Sequence, residues 1–376
     1  MDQHQRFLSV RHFGSLDALR AVSILGVIWY HAPALPLDRQ ITTDAGASGV
    51  ALFFVISGFL ITTLMLREEA ARGVISLRNF YIRRTLRIFP LYYATLLLYL
   101  GIVLVRERHG DGRLNGAGEL FVHNLPYFFT YTSNWFVDQV QTRDGDHRVL
   151  FMFAWSLATE EQFYLVWPTV LRWLRRRWAI TFMLLVLAVD LGASFAFGVM
   201  KLPQTPLERA VKIAQSPSTE IILGVLLALA LNHRPAFERL WSILGRPWSA
   251  PVWSAAAIVA ATLPVEVSPG WYTLQALVFA GLVGSCVIRE DHLLARAFRF
   301  PLLIRIGVVS YGMYLLHMLC VNSVKVLVMP RLGITSPWFW SIASMVGSYL
   351  VAEASYFLFE SRVLRLKERF SAQRPQ

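Results

Sequence analysis

Long apolar windows recur along the 376 residues, separated mostly by short polar connections. A membrane-crossing helix needs about 20 mostly apolar residues. Seven windows contain no Asp, Glu, Lys or Arg: 21–37, 46–66, 88–105, 247–265, 267–288, 306–324 and 332–352. Three more admit one or two acids: 150–171 with Glu160 and Glu161, 178–200 with Asp190, and 213–231 with Glu220. The pattern predicts an all-α polytopic membrane helical bundle of about ten transmembrane helices. The longest connection, 106–149, starts polar and then turns aromatic through Phe121, Tyr127, Phe128, Phe129, Tyr131, Trp135 and Phe136, with Pro126 among them. That mixture predicts a re-entrant or interfacial element shielded by protein rather than lipid. No internal repeat, low-complexity tract or linker divides the chain, so the expectation is one membrane domain over 1–376 with no appended soluble domain.

Composition narrows the class. The chain is 55% hydrophobic and only 16% charged, yet its net charge is +12. An ordinary soluble domain is about 25% charged, so there is too little polar surface here for a basic soluble nucleic-acid binder. Disordered, collagenous and disulfide-framework classes are excluded on the same numbers. Cys286 and Cys320 lie inside apolar runs, which argues against a structural disulfide or a zinc site. With Met1 on the cytoplasmic side, the inner connections gather most of the 36 lysines and arginines, including Arg67, Arg72, Arg78, Arg83, Arg84 and Arg87. The bias recurs at every inner connection, as the positive-inside rule requires, and predicts both termini in the cytoplasm. Residues 1–34 also have the outline of a signal peptide. Asp17 and Arg20 within the run, and the odd span count that cleavage would leave, favour a retained first helix.

Ionisable residues in apolar helices are costly and therefore candidates for chemistry. The first helix carries Asp17, Arg20 and His31. Eleven residues at 100° each make three turns plus about 20°, so Arg20 and His31 share a face roughly 16 Å apart along the axis. Asp17 and Arg20, three apart, can pair. The alternatives for His31 are a solvated helix-end residue and a base reached by a long substrate entering from the arginine side. Arg84 and Arg87 serve either as topology anchors or as phosphate ligands, for which the planar guanidinium is suited. No Gly-rich phosphate loop is present, which excludes a P-loop ATPase. Glu160 and Glu161 open a helix, where acids also favour the dipole. Adjacent acids point to different faces, so one at most is expected to face the bundle interior with the first helix, the other binding water or an arginine. His317, among apolar residues, reads as a hydrogen-bonded structural histidine. Asp190, Glu220 and Glu353 read as structural hydrogen-bond partners.

Taken together, these clusters resemble the acyltransferase 3 family of integral-membrane O-acyltransferases, which includes O-antigen acetylases. Leu16-Asp17-Ala18-Leu19-Arg20-Ala21 followed by Tyr30-His31 keeps the family's Arg-x10-His spacing. The run from Gly49 to Ile61, the Arg84-x-x-Arg87 pair with Ile88 and Pro90, Trp155-Ser156-Leu157 through Phe163, and Ser310-Tyr311 through His317 follow in the family's order. Ala18, Ala51, Gly312 and Leu316 depart from residues frequent there, which bears on donor and acceptor preference. The resemblance is to the stand-alone form.

The resemblance implies a membrane O-acyltransferase of the bacterial inner (plasma) membrane. It would move an acyl group, acetyl first, from cytoplasmic acyl-CoA to a hydroxyl of an envelope glycan or other glycosylated acceptor. It implies Arg20, Arg84 and Arg87 for acyl-CoA and His31 with Glu160 and Glu161 for catalysis, His31 acting as general base or covalent relay. Asp17, Trp135 and His317 are implied on the substrate side, with Trp135 stacking on a sugar ring. Membrane lipid is an expected partner; nucleic acid and a metal are not. The alternatives are a glycolipid or small-molecule transporter or flippase without covalent chemistry, and a non-catalytic membrane sensor or assembly partner.

Overall fold

The computed structural model describes residues 2–34, 39–108, 116–137, 149–200, 210–211, 213–216, 218–263 and 269–368. Among them the secondary structure is entirely helical. The order is α1 (Gln3–Ser9), α2 (Gly14–His31), α3 (Arg39–Arg72), α4 (Leu77–Arg108), α5 (Ala117–Phe129), α6 (Ser133–Phe136), α7 (Trp155–Trp173) and α8 (Arg176–Met200). Then follow α9 (Thr219–Asn232), α10 (Arg234–Leu244), α11 (Ser249–Thr262), α12 (Pro269–Ile288), α13 (Pro301–Ser323) and α14 (Pro337–Ser355). α13 and α14 run on through the π-helical turns Val324–Val328 and Tyr356–Glu360.

Each of the ten predicted windows overlies a helix, but fewer qualify as spans. Among the described residues, six helices are long and apolar enough to cross a membrane. Counting each bent pair, α1 with α2 (64°) and α9 with α10 (109°), as one span raises the number to eight. The other two windows fall on α7 and α11. α7 carries Glu160, Glu161 and Arg172, and α11 has only 14 residues. At 1.5 Å per residue α11 is about 21 Å long, against a hydrocarbon core of about 30 Å.

The core is organised around α2 and α3. Ala18, Ala21, Ile24 and Ile28 of α2 are fully buried, and α2 packs on both α3 and α13. In α3, 72% of the apolar window is buried, against 17% in α8, whose Leu184, Leu185, Val189 and Phe195 face outward. Outward apolar side chains on long helices suit a lipid-facing belt, because hydrocarbon exacts no hydrophobic penalty for their exposure. Small residues let the central helices touch. A Cβ added at Gly58 would lie 2.1 Å from the Ile221 carbonyl oxygen, and one at Gly224 would lie 2.2 Å from that of Val55. The α3–α9 crossing is thus backbone on backbone, the packing that membrane helices achieve with small residues.

The described part of the aromatic connection is covered by protein on one side, while Phe129 and Phe136 stay exposed. α5 lies on α4, with Phe121, Phe128 and Tyr131 buried. The Tyr92 hydroxyl donates to the Phe128 carbonyl (2.8 Å), Tyr93 to that of Phe129 (3.0 Å), and Gln162 to that of Tyr131 (2.7 Å). Side chains of neighbouring helices therefore satisfy carbonyls at the helix end. Residues 109–115 and 138–148 of that connection lie outside the described residues.

Several of the arginines between the apolar windows are tied down structurally. Arg83 pairs with buried Glu68 at 3.0 Å, Arg176 with Glu69, and Arg172 donates to the Ile75 carbonyl. Glu353 accepts both guanidinium bonds of Arg305, at 2.6 and 2.5 Å, and Asp190 accepts from Thr219. Both acids are structural hydrogen-bond partners, as read from the sequence. Cys286 and Cys320 are free and buried.

Two outcomes follow from this packing. Gly58→Ala is expected to cost about 1–3 kcal/mol or more by overpacking, whereas Gly101→Ala, with nothing within 4 Å of the added atom, should be neutral or slightly stabilising. Thermal unfolding in detergent distinguishes the pair. The second concerns His292, buried in the turn after α12, whose Nε2 lies 3.0 Å from the Ser15 hydroxyl. Burial, reinforced by the Arg299 charge, pushes its pKa down to about 4. A depressed histidine pKa stabilises the fold above the unfolded value of about 6.5 and loses that contribution as pH falls towards 4. The loss between pH 7 and pH 4, about 3 kcal/mol at most, should shrink in His292→Gln when unfolding midpoints are compared across that range.

Candidate functional site

α2 sets the frame of the site. Asp17 is buried, with Oδ1 3.2 Å from Arg20 Nη1 and Oδ2 2.9 Å from His12 Nε2. The Asp17–Arg20 pair forms as its spacing predicts and fixes where the guanidinium projects. Gly307 on α13 seats against the backbone of Asp17, whose carbonyl oxygen would lie 2.0 Å from an added Cβ. That contact lays α13 along α2, so the Ser310–His317 stretch runs beside the Arg20–His31 face.

A cavity opens where five helices meet. It is lined by Arg20 of α2, Val50, Phe53 and Ser57 of α3, Arg84, Arg87 and Ile88 of α4, Ser156, Glu160 and Tyr164 of α7, and Ser310, Tyr311 and Tyr314 of α13. Clusters far apart in the chain therefore share one chamber. Arg84 organises its charge. Arg84 Nε lies 3.4 Å from Glu161 Oε1 and Nη2 lies 3.8 Å from Glu160 Oε2. The guanidinium also covers the Tyr164 ring, 3.6 Å from its centroid. Glu160 lines the cavity with Arg20 of α2, while Glu161 engages Arg84, one of the partners its position allows. The two Cα–Cβ directions differ, but both side chains are long enough to converge on a cation seated between them.

Arg87 differs from Arg84. It lines the same cavity, and among the described residues it forms no ion pair. Arg20 is held by Asp17 and Arg84 by two carboxylates, so of the three cavity arginines Arg87 is the one without an ion pair among the described residues.

The histidines meet next to this chamber. His31 at the end of α2 and His317 on α13 have ring centroids 5.0 Å apart. His317 is fully buried, and its Nδ1 lies 2.5 Å from the Tyr314 carbonyl oxygen. It is a hydrogen-bonded histidine, as expected, but its position against His31 was not foreseen. Tyr314 connects the pair to the cavity it lines: its hydroxyl is 2.9 Å from the Phe153 carbonyl oxygen and 2.6 Å from the Ser156 hydroxyl.

Of the predicted site residues, Arg20, Arg84, Arg87 and Glu160 line the cavity; Glu161, His31 and His317 lie next to it through Arg84 and Tyr314, and Asp17 and Trp135 are engaged elsewhere. Asp17 is spent on Arg20 and His12. Trp135 on α6 donates its indole N–H to Ser216, within a polar network in which Asn134 donates to Gln162 at 3.0 Å. That network borders a second pocket with Trp155, Thr159 and Gln215 on its wall. Sequence reasoning missed the hydroxyls of the main cavity. Ser57, bonded to Tyr164, and Tyr311, which donates to the Ile88 carbonyl at 2.7 Å, are uncharged. A search for intramembrane charge passes over them, although Ser57 and Tyr311 sit inside the motif runs. Among the described residues no three His, Cys, Asp or Glu side chains group as metal ligands.

Comparison with known proteins places this arrangement. The chain is 28% identical over 375 residues to the peptidoglycan O-acetyltransferase OatA of Listeria monocytogenes serovar 1/2a, covering 94% of this chain and 56% of that protein. It is 29% identical over 378 residues to the putative peptidoglycan O-acetyltransferase YrhL of Bacillus subtilis strain 168, covering 96% and 55%. A putative O-acetyltransferase of Staphylococcus aureus strain COL is 28% identical over 343 residues, covering 85% and 52%. The chain thus spans about half the length of the curated relatives it matches. No solved structure matches it. The acyltransferase domain family matches residues 13–356, a stretch that includes every helix lining the cavity, and the chain belongs to that family, the acyltransferase 3 group its motifs resemble.

Proposed function

We propose that the chain is a membrane O-acyltransferase that moves an acyl group, acetyl first, from cytoplasmic acyl-CoA to a hydroxyl of a cell-envelope glycan. The observation that carries this reading is a single cavity lined by Arg20, Arg84 and Arg87, with His31 and His317 paired beside it through Tyr314. The proposed orientation puts both termini and the arginine side in the cytoplasm, following the positive-inside bias of the sequence. The relatives that bear the name peptidoglycan O-acetyltransferase support a cell-wall glycan as acceptor. Bacterial inner (plasma) membrane is the corresponding location.

The chemistry divides along α2. Arg87 is the primary ligand for the anionic donor, since its guanidinium is free to take phosphate oxygens in pairs. Arg84 contributes to the same wall while held by Glu160 and Glu161, and Arg20 completes it. The roughly 16 Å from Arg20 to His31 suits an extended thioester arm. In direct transfer, His31 takes the proton of the acceptor hydroxyl as that oxygen attacks the thioester carbonyl. The C–S bond then breaks and the proton passes to the leaving sulfur. Glu160 and Glu161 hold Arg84 and so act on the donor side. The network around Asn134, Trp135 and Gln162 offers planar polar groups and an aromatic face near the second pocket, the kind of surface a sugar engages.

His31→Ala is the direct test: the purified, folded protein should lose at least 10²-fold in acyl transfer from labelled acetyl-CoA. Full activity in that variant would overturn the assignment, and wild-type protein that binds no acetyl-CoA would favour transport. Arg87→Ala should raise KM for acetyl-CoA about 10- to 100-fold, the loss of a charge-assisted contact, with little effect on the unfolding midpoint. Arg84→Ala should instead lower the midpoint, because it strands two carboxylates.

A further inference from the structure

His317 carries an acceptor that the resting protein leaves empty. Its Nδ1 faces a backbone carbonyl, which only accepts, so Nδ1 bears the proton and Nε2 a lone pair. The side chain is 0% exposed, and Nε2 has no hydrogen-bond partner among the described residues. Buried polar atoms are almost always satisfied, and one that is not calls for an explanation.

The surroundings limit what could fill it. The Phe153 ring, 5.2 Å away, has no donor to give. The Tyr314 hydroxyl is already engaged with the Phe153 carbonyl and Ser156. The ring of His31, 5.0 Å away between centroids, is the neighbouring group with an N–H to offer.

We propose that His317 is a positioning residue for His31, its Nε2 accepting the N–H of a protonated His31. The inference rests on the proposed function and adds to it. Neutral His31 already carries a hydrogen on one ring nitrogen, and when the other removes the hydroxyl proton both are donors on a charged ring. One hydrogen then goes to the leaving sulfur as the C–S bond breaks, and the other is held by His317. No proton leaves the pair and no bond forms to His317 beyond the hydrogen bond. The part is that of the third member of a histidine-based triad, which fixes the imidazole and supports its charge. A neutral imidazole does this without binding the proton as strongly as a carboxylate would, so His31 can still deliver it. A hydrogen bond to His31 that strengthens as charge develops on its ring favours the transition state over the ground state.

Two variants test this in the full-length protein with acetyl-CoA as donor. In His317→Asn the short amide can still donate to the Tyr314 carbonyl but offers nothing at the Nε2 position. In His317→Gln the longer side chain restores an acceptor there. The expected result is that H317N folds with an unchanged unfolding midpoint, loses about 10²–10³-fold in kcat, and keeps its KM for acetyl-CoA within about twofold. H317Q should recover at least about tenfold of that loss. Full kcat in H317N, or folded H317Q no better than H317N, overturns the assignment. If both variants fold poorly, the ¹⁵N-histidine spectrum of the wild-type protein decides. A buried histidine that stays in the Nδ1–H form across neutral pH supports the inference, and its absence overturns it. Wild-type protein that neither transfers nor hydrolyses the acetyl group would overturn the proposed function itself; active wild type with fully active H317N overturns only the role of His317.

Discussion

The site depends on the cost of holding charge inside an apolar bundle. An ion moved away from water must be compensated by an opposite charge or by hydrogen bonds. Arg84 meets that demand with Glu160, Glu161 and the face of Tyr164, and in doing so ties α4 to α7. Asp17 meets it with Arg20 and His12, and Glu353 with Arg305. Each compensated charge is a crosslink between segments whose apolar surfaces alone would pack in several registers. Ridges and grooves decide that helices pack; these pairs help decide which faces meet.

Glycine contacts supply the complementary constraint. Gly307 against the Asp17 backbone, and Gly58 against Gly224 and its neighbours, bring α13 to α2 and α9 to α3 closer than side chains permit. In lipid the drive to associate comes from contact and hydrogen bonding more than from exclusion of water, so close approach has particular value. The α2–α13 contact has a functional consequence in the proposed reaction: it sets the distance between His31 and His317. Among the described residues these constraints leave two polar groups of the site without a direct partner, the Arg87 guanidinium and the His317 Nε2.

Much of this was legible in the sequence. The apolar windows located the helices, because exclusion of water from backbone groups forces any spanning segment to be helical and apolar. The Asp17–Arg20 pair followed from helical spacing alone, since residues three apart are neighbours on one face whatever surrounds them. The motif runs pointed to the acyltransferase 3 family, and the family match over residues 13–356 agrees. The number of spans was less secure. Window hydropathy does not register that α11 is only 14 residues long, or that α9 turns through 109° into α10.

What the sequence determined by itself was local: helix positions, the sharing of a face by residues at helical spacing, and the chemical types available for a site. Contacts between helices were beyond it, because they depend on distances between residues far apart in the chain. That Glu160 and Glu161 both reach Arg84, that Arg87 stays unpaired among the described residues, and that His317 lies beside His31 were decided by the crossing of α4, α7 and α13 around α2. The carbonyl of Tyr314 illustrates the difference. The sequence places it three residues before His317 on one helix, but only the packing of α13 on α2 brings that histidine's ring beside another.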